Sequence, residues 1–73
     1  MDDAAFTNSV RRFLKEVGVT SQREIDLAVR RAVERGQLQG EEVLNARAIV
    51  TVDGVGSGFR HLVEGKITLR GEP

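Results

Sequence analysis

Residues 43–69 read VLNARAIVTVDGVGSGFRHLVEGKITL, and this stretch decides the fold. Apolar and polar residues alternate on both sides of the glycine-rich segment 54–58, and a period of two is typical of strands that bury one face. Glycines permit the positive φ angles that short connections between antiparallel strands require. The stretch therefore predicts a β-hairpin with strands over about residues 43–53 and 59–69.

The register of this hairpin follows from keeping the apolar residues of both strands on one face. The apolar set is even-numbered in the first strand and odd-numbered in the second, so only alternate registers satisfy the condition. One such register opposes Arg47 to Glu64, whereas the next opposes Arg47 to Lys66. Because opposite charges stabilise a cross-strand pair and like charges destabilise it, we predict the first. The other pairs of that register are Ala46 with Gly65, Ile49 with Leu62, Val50 with His61 and Val52 with Phe59.

Upstream of the hairpin, apolar residues recur at helical spacing in two blocks. The blocks are Phe6, Val10, Phe13, Leu14 and Val17, followed by Ile25, Ala28, Val29, Ala32 and Val33. Gly18 lies between them, and glycine commonly ends helices. Ser21 and Glu24 have the spacing of a capping box, which commonly begins one. We therefore predict two helices, over about residues 3–17 and 21–35, with Gly36 as the final stop.

The order of these elements predicts an α+β fold (ααββ) in which two N-terminal helices pack on one face of a C-terminal antiparallel β-hairpin. A chain of 73 residues suffices for one hydrophobic core, so residues 1–73 are expected to form a single domain. The absence of cysteine means that packing must hold this fold together. Charged residues interrupt residues 1–20 before a signal peptide or membrane span could form, so we expect a cytoplasmic protein without membrane contact.

The balance of charge disfavours a nucleic-acid partner. The chain carries 11 basic and 11 acidic residues, whereas nucleic-acid-binding proteins usually have a basic excess. The helix, turn, helix and hairpin order is nevertheless similar to part of a winged-helix domain, whose second helix enters the major groove. Under that alternative Arg23, Arg30 and Arg31 would contact nucleic acid. The spacing of Asp26 and Arg30 instead favours pairing of these charges along the helix surface.

No pattern in the sequence points to catalysis, a cofactor or a metal ion. His61 is the sole histidine, so a multi-histidine metal site is excluded. The glycines of segment 54–58 connect two strands, whereas phosphate-binding loops place their amides at the start of a helix. We therefore expect a protein that is not an enzyme, with no catalytic, cofactor-binding or metal-binding residues.

One feature of the hairpin indicates a protein partner. Ile49 and Leu62 fall opposite each other on the nominally polar face, with Val43 and Thr51 flanking them. Two helices can cover only one face of a two-stranded sheet, which also leaves two open edges. We predict a homodimer or an unknown protein partner at this surface, and hence a small protein-protein interaction domain or self-associating accessory domain.

Three segments carry a family resemblance. They are SVRRFLKEVGVTSQREI at residues 9–25, GQLQG at residues 36–40 and VEGKITL at residues 63–69. With these segments the chain resembles a family of short bacterial proteins defined as a domain of unknown function, and the likeness spans nearly the whole chain. It is most specific over residues 13–25. The resemblance implies a helix-helix-hairpin fold and a bacterial, cytoplasmic setting, and it implies no activity, ligand or catalytic residue.

Overall fold

The computed structural model describes residues 1–71 and has α+β architecture. One helix, α1 (Asp3–Glu34), precedes two strands, β1 (Val43–Thr51) and β2 (Arg60–Thr68). The chain divides into two compact units, the first ending at Leu38 and the second beginning at Gln39. The first unit therefore contains α1 and the second contains the hairpin.

The prediction of two helices is wrong, because α1 runs unbroken through Gly18 and Ser21. Gly18 does not adopt the positive φ that would end a helix. The Thr20 hydroxyl donates a hydrogen bond to the Glu16 carbonyl at 2.8 Å, the contact that a helical residue makes with the preceding turn. A glycine inside a helix costs about 1 kcal/mol relative to alanine. Ending and restarting the helix would leave the backbone groups of two more helix ends without intrahelical partners, which favours continuity.

The ends of α1 lie where the local chemistry favours them. The Asp2 carboxylate accepts a hydrogen bond from the Ala5 N–H at 3.0 Å and caps the first turn. At the other end Gly36 takes a φ of 75°, and its N–H donates to the Val33 carbonyl at 3.1 Å. A left-handed glycine that satisfies the last carbonyls is a common helix stop. The predicted role of Gly36 is therefore confirmed.

In the continuous helix the two apolar blocks overlap only in part, because at 100° per residue their centres lie about 80° apart around the helix axis. An interval of eleven residues corresponds to three turns of a helix with about 3.67 residues per turn. Three adjacent rows of side chains follow this interval, so large apolar residues occur in both halves of the helix: Phe6, Val17 and Ala28; Val10, Ser21 and Ala32; and Leu14 and Ile25. Ser21 thus lies inside α1, within one of these rows, and is not the cap of a second helix.

The hairpin has the predicted register. Arg47 pairs with Glu64 and Ile49 pairs with Leu62 in an antiparallel ladder. The ladder ends at the pair of Thr51 with Arg60, so both strands are slightly shorter than predicted. Val52 and Phe59 consequently lie beyond it. The reason is the intervening connection, where Gly54, Gly56 and Gly58 adopt φ values of 89°, 79° and 82°.

Among residues 1–71, neither unit has a hydrophobic core of its own. No residue among positions 1–71 is buried, and the large apolar side chains of α1 and of the hairpin remain accessible. A single helix and a two-stranded sheet gain most of their stability from packing against another element. Both units therefore present apolar surface that is suited to a partner.

Candidate interaction site

The residues predicted to form an interface lie on one face of the hairpin, but only three of them are neighbours. Ile49 and Leu62 are cross-strand partners whose exposed fractions are 51% and 42%. Thr51 follows two positions along β1 on the same face. Val43 is at the opposite end of β1, about 20 Å from Ile49 at 3.4 Å per residue. The structure therefore brings Ile49, Leu62 and Thr51 together as the hairpin patch and leaves Val43 outside it.

A polar strip separates the hairpin patch from Val43. The Lys66 ammonium group donates a hydrogen bond to the Asn45 side-chain oxygen across the strands. Arg47 and Glu64 form the next cross-strand pair. The residues of this strip line a depression in the surface together with Ala46 and Gly65. Groups of both charges beside an apolar patch are typical of the polar rim of a protein interface.

The edges of the hairpin offer a second means of contact. The sheet has two strands, so each strand has one edge that is not paired within it. The backbone N–H and C=O groups of such an edge can pair with a further strand. Both a face and an edge of this hairpin are therefore available to a partner.

The loop before β1 contains a polar arrangement that the sequence patterns did not predict. The Glu42 carboxylate accepts backbone N–H bonds from Gln39, Gly40 and Glu41 at 2.8, 2.9 and 3.1 Å. The hydrogen bond from the Gln39 N–H is the largest cause that lowers the pKa of Glu42 below its usual value. The other backbone N–H bonds of the loop lower this pKa further. Gly40 has a φ of 91°, and a left-handed residue of this kind turns successive N–H groups towards one anion. The sequence signal that could have predicted this arrangement is a glycine, Gly40, two residues before a glutamate, Glu42.

We expect Glu42→Gln to destabilise the hairpin unit at neutral pH, because the amide oxygen is a weaker acceptor than the carboxylate. Folding lowers the pKa of Glu42 from 4.5, so the stability that the ionised carboxylate contributes is fully present above that pH. The contribution is lost as the pH falls through the lowered pKa. Amide hydrogen exchange at Gln39 and Gly40, measured from pH 7 downwards, should show faster exchange in the variant at pH 7 and convergence with the unaltered protein in acid.

The matched control for this prediction is Glu41→Gln. It removes the same charge from the adjacent position without removing the acceptor of the three N–H groups. Equal exchange rates in Glu41→Gln and Glu42→Gln would contradict the role assigned to the Glu42 carboxylate.

The helix places the arginines of the nucleic-acid alternative on two different sides. Arg23 and Arg30 are seven residues apart and project within about 20° of each other, whereas Arg31 projects about 100° from Arg30. The Arg30 guanidinium donates to the Asp26 carboxylate at 2.5 Å, as the spacing predicts. The turn between two helices, on which the winged-helix comparison depends, is not formed. Contact between these arginines and nucleic acid stays a prediction.

Two further properties of residues 1–71 concern metal ions and membranes. Within this range, no group of three or more His, Cys, Asp or Glu side chains is placed to hold a metal ion. His61 lies opposite Val50 in the ladder, as the register predicts. The same residues include no helix with the length and apolar character needed to cross a membrane.

Comparison with known proteins identifies a family. Residues 1–70 match the model of a family described as "Family of unknown function (DUF6494)". The match confirms the resemblance to an uncharacterised domain family that residues 9–25, 36–40 and 63–69 indicate. No curated protein and no solved structure matches the chain.

Proposed function

We propose that this chain, which belongs to the DUF6494 family, is a non-catalytic interaction domain that self-associates through the hairpin patch. The observation that carries the proposal is the pair of Ile49 and Leu62, which are directly opposed and about half exposed. An apolar centre with a polar rim is typical of protein interfaces. In this proposal the protein is a bacterial, cytoplasmic accessory protein, with no enzymatic activity.

Two hairpins packed face to face would cover the hairpin patch of both copies. Full burial of an Ile or Leu side chain is worth about 1.5–3 kcal/mol, so covering the exposed half of each contributes about 1 kcal/mol. Arg47 and Glu64 border the patch, and their opposite charges favour one alignment of the two copies. Pairing through a strand edge would instead extend each hairpin to a four-stranded sheet, which is more stable than two strands.

We expect Ile49→Glu to raise the dissociation constant of the self-associated protein at least tenfold, because it places an unpaired charge in the apolar contact. Light scattering at about 10 and 500 µM brackets the range in which a small interface dissociates. The unaltered protein should show a mass that rises with concentration and is insensitive to salt. Val55→Glu is the matched control, because Val55 is also an exposed apolar residue of the hairpin unit but lies in the connection between the strands.

An unchanged dissociation constant in Ile49→Glu would refute association through the hairpin patch. A strict monomer at both concentrations would refute self-association altogether. Salt-dependent binding of that monomer to duplex DNA, reduced by neutralising Arg23, Arg30 and Arg31, would favour the nucleic-acid alternative in its place.

A further inference from the structure

The outer edge of β2 carries a defined set of outward-pointing backbone groups. The Leu69 N–H donates to the Glu42 carbonyl at 2.8 Å, and these two residues continue the register of the hairpin by one pair. In an antiparallel ladder, hydrogen-bonded pairs alternate with pairs whose N–H and C=O groups point away from the partner strand. The pair of Arg47 with Glu64 is of the second kind. The outward-pointing groups of β2 therefore belong to Arg60, Leu62, Glu64, Lys66 and Thr68.

The charges of β2 are complementary to those of a second copy of the same strand. Within one chain, Glu64 is opposite Arg47, and Lys66 donates a hydrogen bond to the neutral Asn45 side chain. An antiparallel copy of β2 with a twofold axis at Gly65 opposes Glu64 to Lys66 of the second copy, and the axis repeats this pair. Each Glu64 carboxylate then lies between two cations. Opposite charges in opposed positions stabilise antiparallel strands, and the same rule selects the register within the hairpin.

The other positions of this pairing are compatible with it. Leu62 opposes Thr68 and Val63 opposes Ile67, so no charged side chain faces an apolar one within β2. The two strands overlap over residues 62–68, and their outward-pointing groups form about eight hydrogen bonds, two for each hydrogen-bonded pair. Arg60 is set opposite Arg70, which lies beyond the end of β2 and has an exposed side chain that can turn away.

Other twofold registers of β2 are less favourable. An axis at Glu64 opposes the two Glu64 carboxylates, and an axis at Val63 opposes Arg60 to Lys66, so both place like charges together. An axis at Leu62 opposes Arg60 to Glu64 but overlaps only residues 60–64 of each strand. The axis at Gly65 therefore gives the longest overlap that contains no opposed like charges.

The edge of β1 lacks this complementarity, because Arg47 is the one charged residue among positions 43–51. Two antiparallel β1 strands have no acidic group to place opposite it. Pairing of β1 with β2 of a second copy is head to tail, and such pairing leaves an open edge at each end and extends into filaments. Twofold pairing through β2 gives a closed dimer.

We propose that two copies of this chain pair antiparallel through the edges of β2, around a twofold axis at Gly65, and form a four-stranded sheet. The pairing joins two edges and leaves the hairpin patch uncovered, so it goes beyond the proposed function and does not depend on it. One row across this sheet contains Ile49 and Leu62 of one copy, followed by Thr68 and Val43 of the second. Val43, which lies outside the hairpin patch of its own chain, thus adjoins the patch of the other copy.

Disulfide trapping in the full chain tests this pairing, because the chain contains no cysteine that would interfere. Gly65→Cys places two thiols at the twofold axis, in a pair without hydrogen bonds whose Cα atoms are about 4.5 Å apart, a distance that a disulfide spans. Gly65 has no positive φ, and a Cβ atom there meets nothing within 4 Å apart from its chain neighbours, so the hairpin accommodates the change.

Ala46→Cys is the matched control, because Ala46 is the cross-strand partner of Gly65 on the same face. In the proposed dimer its two copies are about 14 Å apart, three strand spacings, which is too far for a disulfide. Gly65→Cys should form the covalent dimer at least ten times faster. Equal rates would overturn the edge pairing. Fast trapping of Leu62→Cys in place of Gly65→Cys would overturn the axis at Gly65, since that axis sets the two Leu62 residues about 20 Å apart.

Proline substitution tests the backbone bonds of the edge. Lys66→Pro removes an outward-pointing N–H of β2, and Asn45→Pro removes the equivalent N–H of β1, so neither removes a bond of the hairpin ladder. Both also remove the side-chain bond between Lys66 and Asn45, which matches their effects on the hairpin itself. The dissociation constant, measured by light scattering, should be at least tenfold higher for Lys66→Pro than for Asn45→Pro. Equal constants would contradict the use of the β2 edge.

Trapping of Gly65→Cys in the Ile49→Glu background separates the edge from the hairpin patch. The covalent dimer is expected at an unchanged yield, because Ile49 belongs to β1 and opposes no residue of the second copy. Loss of the dimer there would overturn the independence of the edge. Its persistence, together with an unaltered dissociation constant in Ile49→Glu, would support the edge pairing and refute the hairpin patch.

Discussion

Thr20→Pro is expected to lower the free energy of unfolding by about 3 kcal/mol or more, the cost of proline in a helix interior. Proline removes the backbone N–H of position 20 and collides with the preceding turn. The substitution also removes the hydroxyl that bonds the Glu16 carbonyl. Urea unfolding followed by circular dichroism at 222 nm, at one fixed protein concentration, measures the change. The concentration is fixed because association contributes to apparent stability.

Gly18→Ala is the companion variant and should have the opposite sign, with a gain of about 1 kcal/mol. Gly18 has no positive φ, and a Cβ atom added there would meet nothing within 4 Å apart from its chain neighbours and the surrounding helix backbone. If two helices met at this point, Gly18→Ala would destabilise the protein, because alanine disfavours the left-handed conformation. Thr20→Pro would then be harmless, because proline is tolerated outside a helix. Tolerance of Thr20→Pro would therefore contradict the continuous helix.

The hairpin was predictable from sequence because its determinants are local and redundant. Alternation of apolar residues selects the face, positive-φ glycines mark the connection, and the pairing of Arg47 with Glu64 selects the register. A shift to the next allowed register would set like charges against each other, so several independent signals support the same answer. The same logic placed Ile49 opposite Leu62.

The break predicted at residues 18–21 failed because its signals are also compatible with a helix interior. Gly18, Ser21 and Glu24 each lower the cost of a helix end, but none forbids continuation. The continuous helix loses about 1 kcal/mol at Gly18 and keeps every hydrogen bond of the intervening turn.

The candidate sites also include features that could be predicted from the sequence and features that could not. Ile49, Leu62 and Thr51 are neighbours because strand alternation and register make them so, and both can be read from sequence. The separation of Val43 follows from the position of the polar strip along β1. The Glu42 carboxylate bonds to three backbone N–H groups because of the φ of Gly40, a conformation that the residue type permits but does not impose.

The sequence by itself determined the α+β class, the existence and register of the hairpin, and the helix stop at Gly36, since each depends on contacts between residues near in sequence or locked by alternation. Only the structure decided that residues 3–34 form one helix, with Gly18 and Ser21 in its interior. The physical reason is that the local preference at residues 18–21 for a break over a continuous helix amounts to about 1 kcal/mol, the cost of Gly18 in a helix interior. The hydrogen bonds of the complete helix outweigh a difference of that size.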